Sequence, residues 1–184
     1  MTLGPAVRRL MDASVLTKAD ADELAVALKE IEAIAARLED AGINETLPFW
    51  DKESMRQGVR PFSPVIGEAN PIAPPMTVRV VGDAVVGECT MRPIHEGPPG
   101  AVHGGWVATL LDQLLGHATA ASGNPGFTAE LTVRYRRPTP YGVPLTLRGR
   151  TDDVDGRRVR ASAEIVVDDV VTAEATALFL KPRT

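Results

Sequence analysis

Between Gly97 and Gly116 the chain reads Gly-Pro-Pro-Gly-Ala-Val-His-Gly-Gly-Trp-Val-Ala-Thr-Leu-Leu-Asp-Gln-Leu-Leu-Gly. A turn rich in proline and glycine delivers His103, Gly104 and Gly105 to the start of an apolar run. One carboxylate, Asp112, interrupts the leucines that follow. Unpaired amides at a helix start, at the positive end of its dipole, can hold an oxyanion. A carboxylate set among leucines and alanines is a candidate general base or nucleophile. Together these groups point to acyl transfer, in which one stabilises the tetrahedral oxygen and the other activates or supplies the nucleophile.

These groups need a helix to carry them. Trp106, Val107, Ala108, Leu110, Leu111, Leu114, Leu115 and Ala118 make the segment from about Gly105 to Ala121 apolar nearly all round, which predicts a buried central helix. The stripe that bears Asp112 differs, for Gly105, Ala108, Thr109, Gly116 and Thr119 are all small. Such a lane leaves room for a ligand or for another backbone.

Around this helix the hydrophobic period is two. Met76, Val78 and Val80 alternate with polar residues, and Gly82-Asp83 turns the chain into a second strand over Val85 to Arg92. Further strands are expected at Phe127–Arg136, Leu145–Thr151, Arg158–Asp168 and Val170–Leu180. Turn signals at Pro138 to Gly142, Asp155-Gly156 and Asp168-Asp169 separate them. These last four strands leave no room for crossover helices and are expected to form an antiparallel meander. The fold class is α+β, a long antiparallel sheet curled around one helix.

Upstream, a helix is expected over about Thr17 to Ala41. Thr17 would cap it, with Asp20 at the reciprocal capping position and Gly42 ending it. Leu24, Leu28, Ile31, Ala35 and Leu38 form one apolar stripe that must dock on the main domain or on a partner chain. Residues 43 to 75 carry six prolines together with Phe49, Trp50 and Phe62. Leaving such aromatics in water is costly, so this segment is expected to wrap a surface.

Composition narrows the function. The 184 residues are 44% hydrophobic and 24% charged with a net charge of −4, ordinary for a globular chain and giving no support for nucleic-acid binding. The lone Cys89 excludes an internal disulfide and reads as a small buried hydrophobe. The absence of a signal-like apolar run and of a ~20-residue membrane span leads to the expectation of a cytoplasmic protein. The three histidines and Asp112 show no metal-binding spacing, so no metal is expected.

The residues His103-Gly104-Gly105, Ala108-Thr109 and Asp112 resemble the hotdog-fold acyl-CoA thioesterases. So do the preceding Glu96-Gly97-Pro98-Pro99-Gly100 and the later Tyr135-Arg136-Arg137-Pro138, and the PaaI-like branch with the thioesterase superfamily members is the most similar. The resemblance covers about Met76 to Pro182. It implies a hotdog domain over 76–184, with 1–75 as an N-terminal amphipathic helix and Pro-rich wrapping segment. It implies hydrolysis of an acyl-CoA, with coenzyme A as part of the substrate and no separate cofactor. Asp112 is then general base or nucleophile, and the Gly104 amide is the oxyanion donor. His103 shapes the loop or bonds near the thioester, and Thr128 holds the water or the acid.

Other assignments rest partly on residue type. Gly105 is assigned to substrate binding beside Gly104, and His95 to the lining of the same loop. Arg134, Arg136 and Arg137 suit the phosphates of coenzyme A. By alternation Arg134 and Arg136 share one strand face, and Leu131, Val133 and Tyr135 share the other.

Spacing then fixes the assembly. At 1.5 Å per residue Gly104 and Asp112 stand ~12 Å apart along the helix, and His103 and Asp112 ~13 Å, too far to serve one carbonyl. The donor of one subunit must therefore meet the acid of another, which predicts a homodimer with two composite sites; the resemblance implies that such dimers also assemble as dimers of dimers. Two alternatives share the fold: a hotdog dehydratase or hydratase, and a non-catalytic acyl-CoA-binding protein.

Overall fold

The computed structural model describes residues 2–44 and 60–183. Among these residues three α-helices, α1 (Gly4–Leu16), α2 (Ala21–Asp40) and α3 (Gly104–Ala121), accompany six strands. The strands are β1 (Thr77–Val81), β2 (Ala84–Thr90), β3 (Phe127–Tyr135), β4 (Pro144–Asp155), β5 (Arg158–Val167) and β6 (Val170–Leu180). They form one antiparallel sheet in the order β1-β2-β4-β5-β6-β3.

Only part of the expected meander exists. β4, β5 and β6 follow one another, but β3 pairs with β6 at the far edge and β4 pairs with β2. The chain leaves β3 through residues 136–143, and this loop passes the helix start on its way to β4. There Val102 N–H donates to Thr139 O at 2.8 Å, and Gly142 N–H to Met91 O at 2.8 Å. Strand spacing in sequence showed that no crossover helix fits, but pairing is decided by which edges are free to bond.

The tight turns match their residues. Gly82, first in its two-residue loop, has φ +63, and Asp168 and Asp169 both take positive φ, as a hairpin turn matched to strand twist requires.

The sheet closes around α3. Leu110, Leu111, Leu114 and Leu115 are fully buried against Leu145, Leu147, Val159, Ile165 and Phe179. Two glycines and a row of alanines let the helix sit this close. A side chain at Gly87 would meet Leu114 Cδ1 and Met76 Sδ at 3.0 Å, and one at Gly149 would meet Leu114 Cδ2 at 3.1 Å. Ala161, Ala163, Ala173, Ala175 and Ala177 floor the same face. Cys89 also lies against this core, where burial pushes its thiol up to about 12.

The N-terminal region departs from expectation. A helix that the sequence pattern did not announce precedes the expected one: α1 starts with Pro5 in its first turn and docks on the body. Gly4 packs so closely that a Cβ there would stand 2.3 Å from Glu68 O. Arg8 donates to Asn70 O at 2.9 Å, and Asp12 pairs with the half-buried Arg92 at 3.2 Å. Arg92 also donates to Arg8 O and Pro71 O. Asp12→Ala is expected to cost about 1–3 kcal/mol by stripping a partner from a part-buried guanidinium, measured as a lowered midpoint of thermal unfolding.

The second helix starts later than its pattern suggested. Asp20, not Thr17, is the N-cap, accepting from Asp22 and Glu23 N–H at 3.1 and 3.0 Å. Thr17 instead closes the preceding turn by accepting from Ala19 N–H. No residue of α2 is buried, and its apolar stripe stays exposed. Phe49 and Trp50 lie outside the described residues. The described part of the Pro-rich segment does pack, with Val65 in the core and Ala73 fully buried. No described helix is long and apolar enough to cross a membrane.

Candidate active site

The loop ahead of α3 is built to present a helix start. Glu96 Oε1 accepts from Gly100 N–H at 2.7 Å, and Gly97 N–H donates to Ala101 O at 2.9 Å. Gly100 takes φ +78, a conformation that glycine adopts without strain. Gly97 must also be small, because its Cβ would lie 2.7 Å from His103 Cα. Pro/Gly content here is therefore a packing requirement as much as a turn signal.

His103 is the N-cap. Its own N–H donates to His95 O at 2.8 Å, and its Nδ1 accepts from Gly105 N–H at 3.0 Å. An imidazole nitrogen here does what a serine or aspartate oxygen usually does. The cap engages the Gly105 amide, while the Gly104 N–H has no partner among the described residues. Gly105 is also sterically committed, since a Cβ there would meet His103 Nδ1 at 3.1 Å.

His95 lies beneath this loop, 1% exposed, with its ring edge-on to Trp106 at 4.6 Å. Arg92 N–H donates to its Nδ1 at 3.0 Å, so the other nitrogen carries the proton toward Ile72 O at 3.4 Å. The ring thus supports the loop from behind. Burial lowers its pKa below the ordinary 6.5, despite the Ile72 bond that acts the other way. His117 on α3 shifts in the same direction, through burial and then the charge of Arg60.

Both histidines make stability pH-dependent with one sign. The unfolded chain takes up protons near pH 6.5 that the folded chain refuses. Their contribution is complete above that value and falls as pH drops below it, levelling out once the folded forms titrate. Thermal melts between pH 7.5 and 5.5 should show the midpoint falling over the lower part of this range, and a flat profile would contradict it.

Asp112 sits half-buried in the middle of α3, on the stripe formed by Gly105, Ala108, Thr109 and Gly116. All of these residues are exposed or partly exposed, while the opposite side of the helix is sealed by the sheet. Thr109 turns its hydroxyl back to Gly105 O at 2.8 Å, which keeps the lane low. Thr128 Oγ1 donates to Asp112 Oδ1 at 2.9 Å.

That contact depends on a β-bulge. Thr132 and Arg134 face away from the helix, and strict alternation would put Thr128 with them. Between Thr128 and Glu130 the register slips by one residue, so Thr128 pairs with the buried Phe179 while Glu130 pairs with Leu178. Ala129 is the extra residue, and it turns Thr128 inward toward the acid.

The arginines lie elsewhere. Arg134 and Arg136 reach Glu174 at 3.7 and 2.5 Å, on the sheet face away from α3. Arg137 is exposed past the strand end, its N–H on Thr172 O. None of the three meets Gly104 or Asp112 within the chain. Sequence reasoning missed Tyr135 as a site residue: its hydroxyl donates to Gly104 O at 2.9 Å. The available signal is its place on the inner face with Leu131 and Val133, where a phenol carries a polar tip. Among the described residues no three His, Cys, Asp or Glu side chains gather closely enough to hold a metal ion.

A long antiparallel sheet wrapped round a central helix, with an amide-bearing helix start and a mid-helix acid, defines a hotdog protein of the thioesterase type. Residues 99–174 match the family model of the thioesterase superfamily. A crystal structure of a thioesterase superfamily protein is 38% identical, with a TM-score of 0.84, over 96% of this chain and 92% of that one. The chain belongs to the thioesterase superfamily. Among curated relatives, the acyl-coenzyme A thioesterase THEM4 of Xenopus laevis is 38% identical over 91 residues, 48% of this chain and 41% of that protein. THEM4 of Bos taurus is 34% identical over 91 residues, 48% of this chain and 37% of its own length. The match thus spans less than half of these curated relatives.

Proposed function

We propose that this protein hydrolyses an acyl-CoA thioester to the free acid and coenzyme A. The observation that carries the reading is that one helix bears both a Gly104 amide without a partner among the described residues and a carboxylate, Asp112, anchored by Thr128 on an open lane of small residues. The choice of acyl-CoA rests on the printed names of the THEM4 relatives.

In this reaction Asp112 takes a proton from water as the oxygen attacks the thioester carbon, or attacks that carbon itself and forms an anhydride that water then opens. The carbonyl oxygen gathers negative charge and is received by the Gly104 N–H, at the positive end of α3. Collapse expels the coenzyme A sulfur, which leaves as the thiol once protonated. Water supplies the hydroxyl of the acid and the hydrogen of the thiol.

The helix is continuous from Gly104 to Ala121, and the ~12 Å that its rise puts between donor and acid supports reading one chain as two half-sites. A two-fold partner whose α3 lies antiparallel along the small-residue lane completes both. The outer edge of β3, unpaired among the described residues and with Phe127 76% exposed, supports association on this side. Thiol release measured across acyl-CoA chain lengths tests the reading. Turnover of at least one acyl-CoA is the expected result, and tight binding without release identifies a sensor instead.

A further inference from the structure

We infer that Tyr135 is a positioning residue, fixing through its hydroxyl the first turn of α3 and with it the aim of the Gly104 amide. The inference rests on the thioesterase reading and deepens it.

Burial does not explain a tyrosine at this position. Tyr135 is 54% exposed, and its hydroxyl has one hydrogen bond among the described residues, to Gly104 O. A phenylalanine would make the same ring contacts. Those contacts are close, for a Cβ on Gly104 would find Tyr135 Oη at 3.3 Å, Cζ at 3.4 Å and Cε1 at 3.5 Å. An alanine at this position would oblige the phenol tip to give way by a few tenths of an ångström.

The strand end that carries Tyr135 is itself held firmly. Its backbone is in register with Ala173, and the next two amides, Arg136 and Arg137, both donate to Thr172 O at 2.8 and 3.0 Å. Thr172 is buried and bonded in turn to Thr139 Oγ1 at 2.9 Å. The phenol thus reaches Gly104 from a fixed platform.

Three bonds then converge on the helix start. His103 N–H is tied to His95 O, the Gly105 N–H to His103 Nδ1, and Gly104 O to Tyr135. The last two hold the peptide plane that follows the Gly104 α-carbon, and His103 O, which accepts from Trp106 and Val107 N–H at 2.9 and 3.2 Å, holds the plane before it, whose Gly104 N–H has no partner among the described residues. An oxyanion donor is effective when its direction is set before the charge develops, and the phenolic hydroxyl supplies one of these restraints.

The test is Tyr135→Phe, which keeps the ring and removes the bond. Loss of one hydrogen bond's worth of alignment should lower kcat roughly three- to tenfold while KM and the thermal midpoint stay unchanged, because the bound ground state does not use the donor fully. Amide hydrogen exchange gives a second readout that needs no turnover: exchange at residues 105–108 should quicken in the variant. Unchanged kcat with unchanged exchange overturns the inference. So does a fall in kcat matched by an equal fall in stability. Wild-type protein that releases no thiol from any acyl-CoA overturns the thioesterase reading, and exchange alone then decides whether Tyr135 restrains the helix start.

Discussion

Asp112→Asn is expected to lower kcat by about 10²- to 10⁴-fold with little change in KM or in thermal midpoint. Asparagine keeps the size and can still accept from Thr128 Oγ1, so the 2.9 Å contact and the packing of the lane survive. What is lost is the ability to take a proton or to attack a carbonyl. The side chain is half-buried and points away from the leucine core, so the folded state has little reason to notice the change. Thiol release and a thermal melt on the same preparation check both halves. Full activity in this variant would remove Asp112 from the chemistry and leave the helix lane as a packing surface.

Gly104→Pro carries the second large effect. Proline removes the one N–H proposed to receive the oxyanion, and the site tolerates proline for identifiable reasons. Gly104 is the first residue of α3, where the N–H has no helical partner and proline is favoured. The preceding His103 already holds φ −58 and ψ 135, an extended conformation that a residue before proline prefers.

Gly104→Ala is the control, because it places the same Cβ against Tyr135 while keeping the amide. Turnover should fall about 10²- to 10³-fold further in the proline variant than in the alanine variant, the usual effect of deleting one oxyanion donor. Equal activity in the two would refute the donor role.

The same variants test the composite site. After subunit exchange, an equal mixture of Asp112→Asn and Gly104→Pro chains should recover about a quarter of wild-type activity. Half the dimers are then mixed, and each mixed dimer has one intact site of two. No recovery after demonstrated exchange would place donor and acid on the same chain, against the length of α3.

Much of this site was legible in the sequence because it is local. The Pro/Gly loop, the helix start at His103-Gly104-Gly105 and the acid eight residues on lie within one continuous stretch, and helical rise converts their spacing directly into distance. All six strands were legible from their period, and the two-residue turns from their Gly and Asp residues. The helix at 21–40 was legible too, although its cap fell at Asp20 because Thr17 and Ala19 bond to one another first. The opening helix α1 escaped notice. Its stability comes from Gly4, Arg8 and Asp12 meeting partners far along the chain, and short-range pattern carries little of that.

What the sequence determined by itself is the placement of a helix-start amide and a carboxylate eight residues apart on one helix. Tertiary structure decided which residues attend them. Strand order put β3 beside β6 instead of β4, and thereby brought Thr128 to the mid-helix acid and Tyr135 to the helix start. The bulge at Ala129 reversed the side on which Thr128 lies, while Arg134 and Arg136 turned to the opposite face and to Glu174. The reason is range. Helical spacing and turn chemistry are set by neighbours a few residues apart, whereas pairing partner, register and bulge are set by groups dozens of residues away that meet only when the sheet closes around α3.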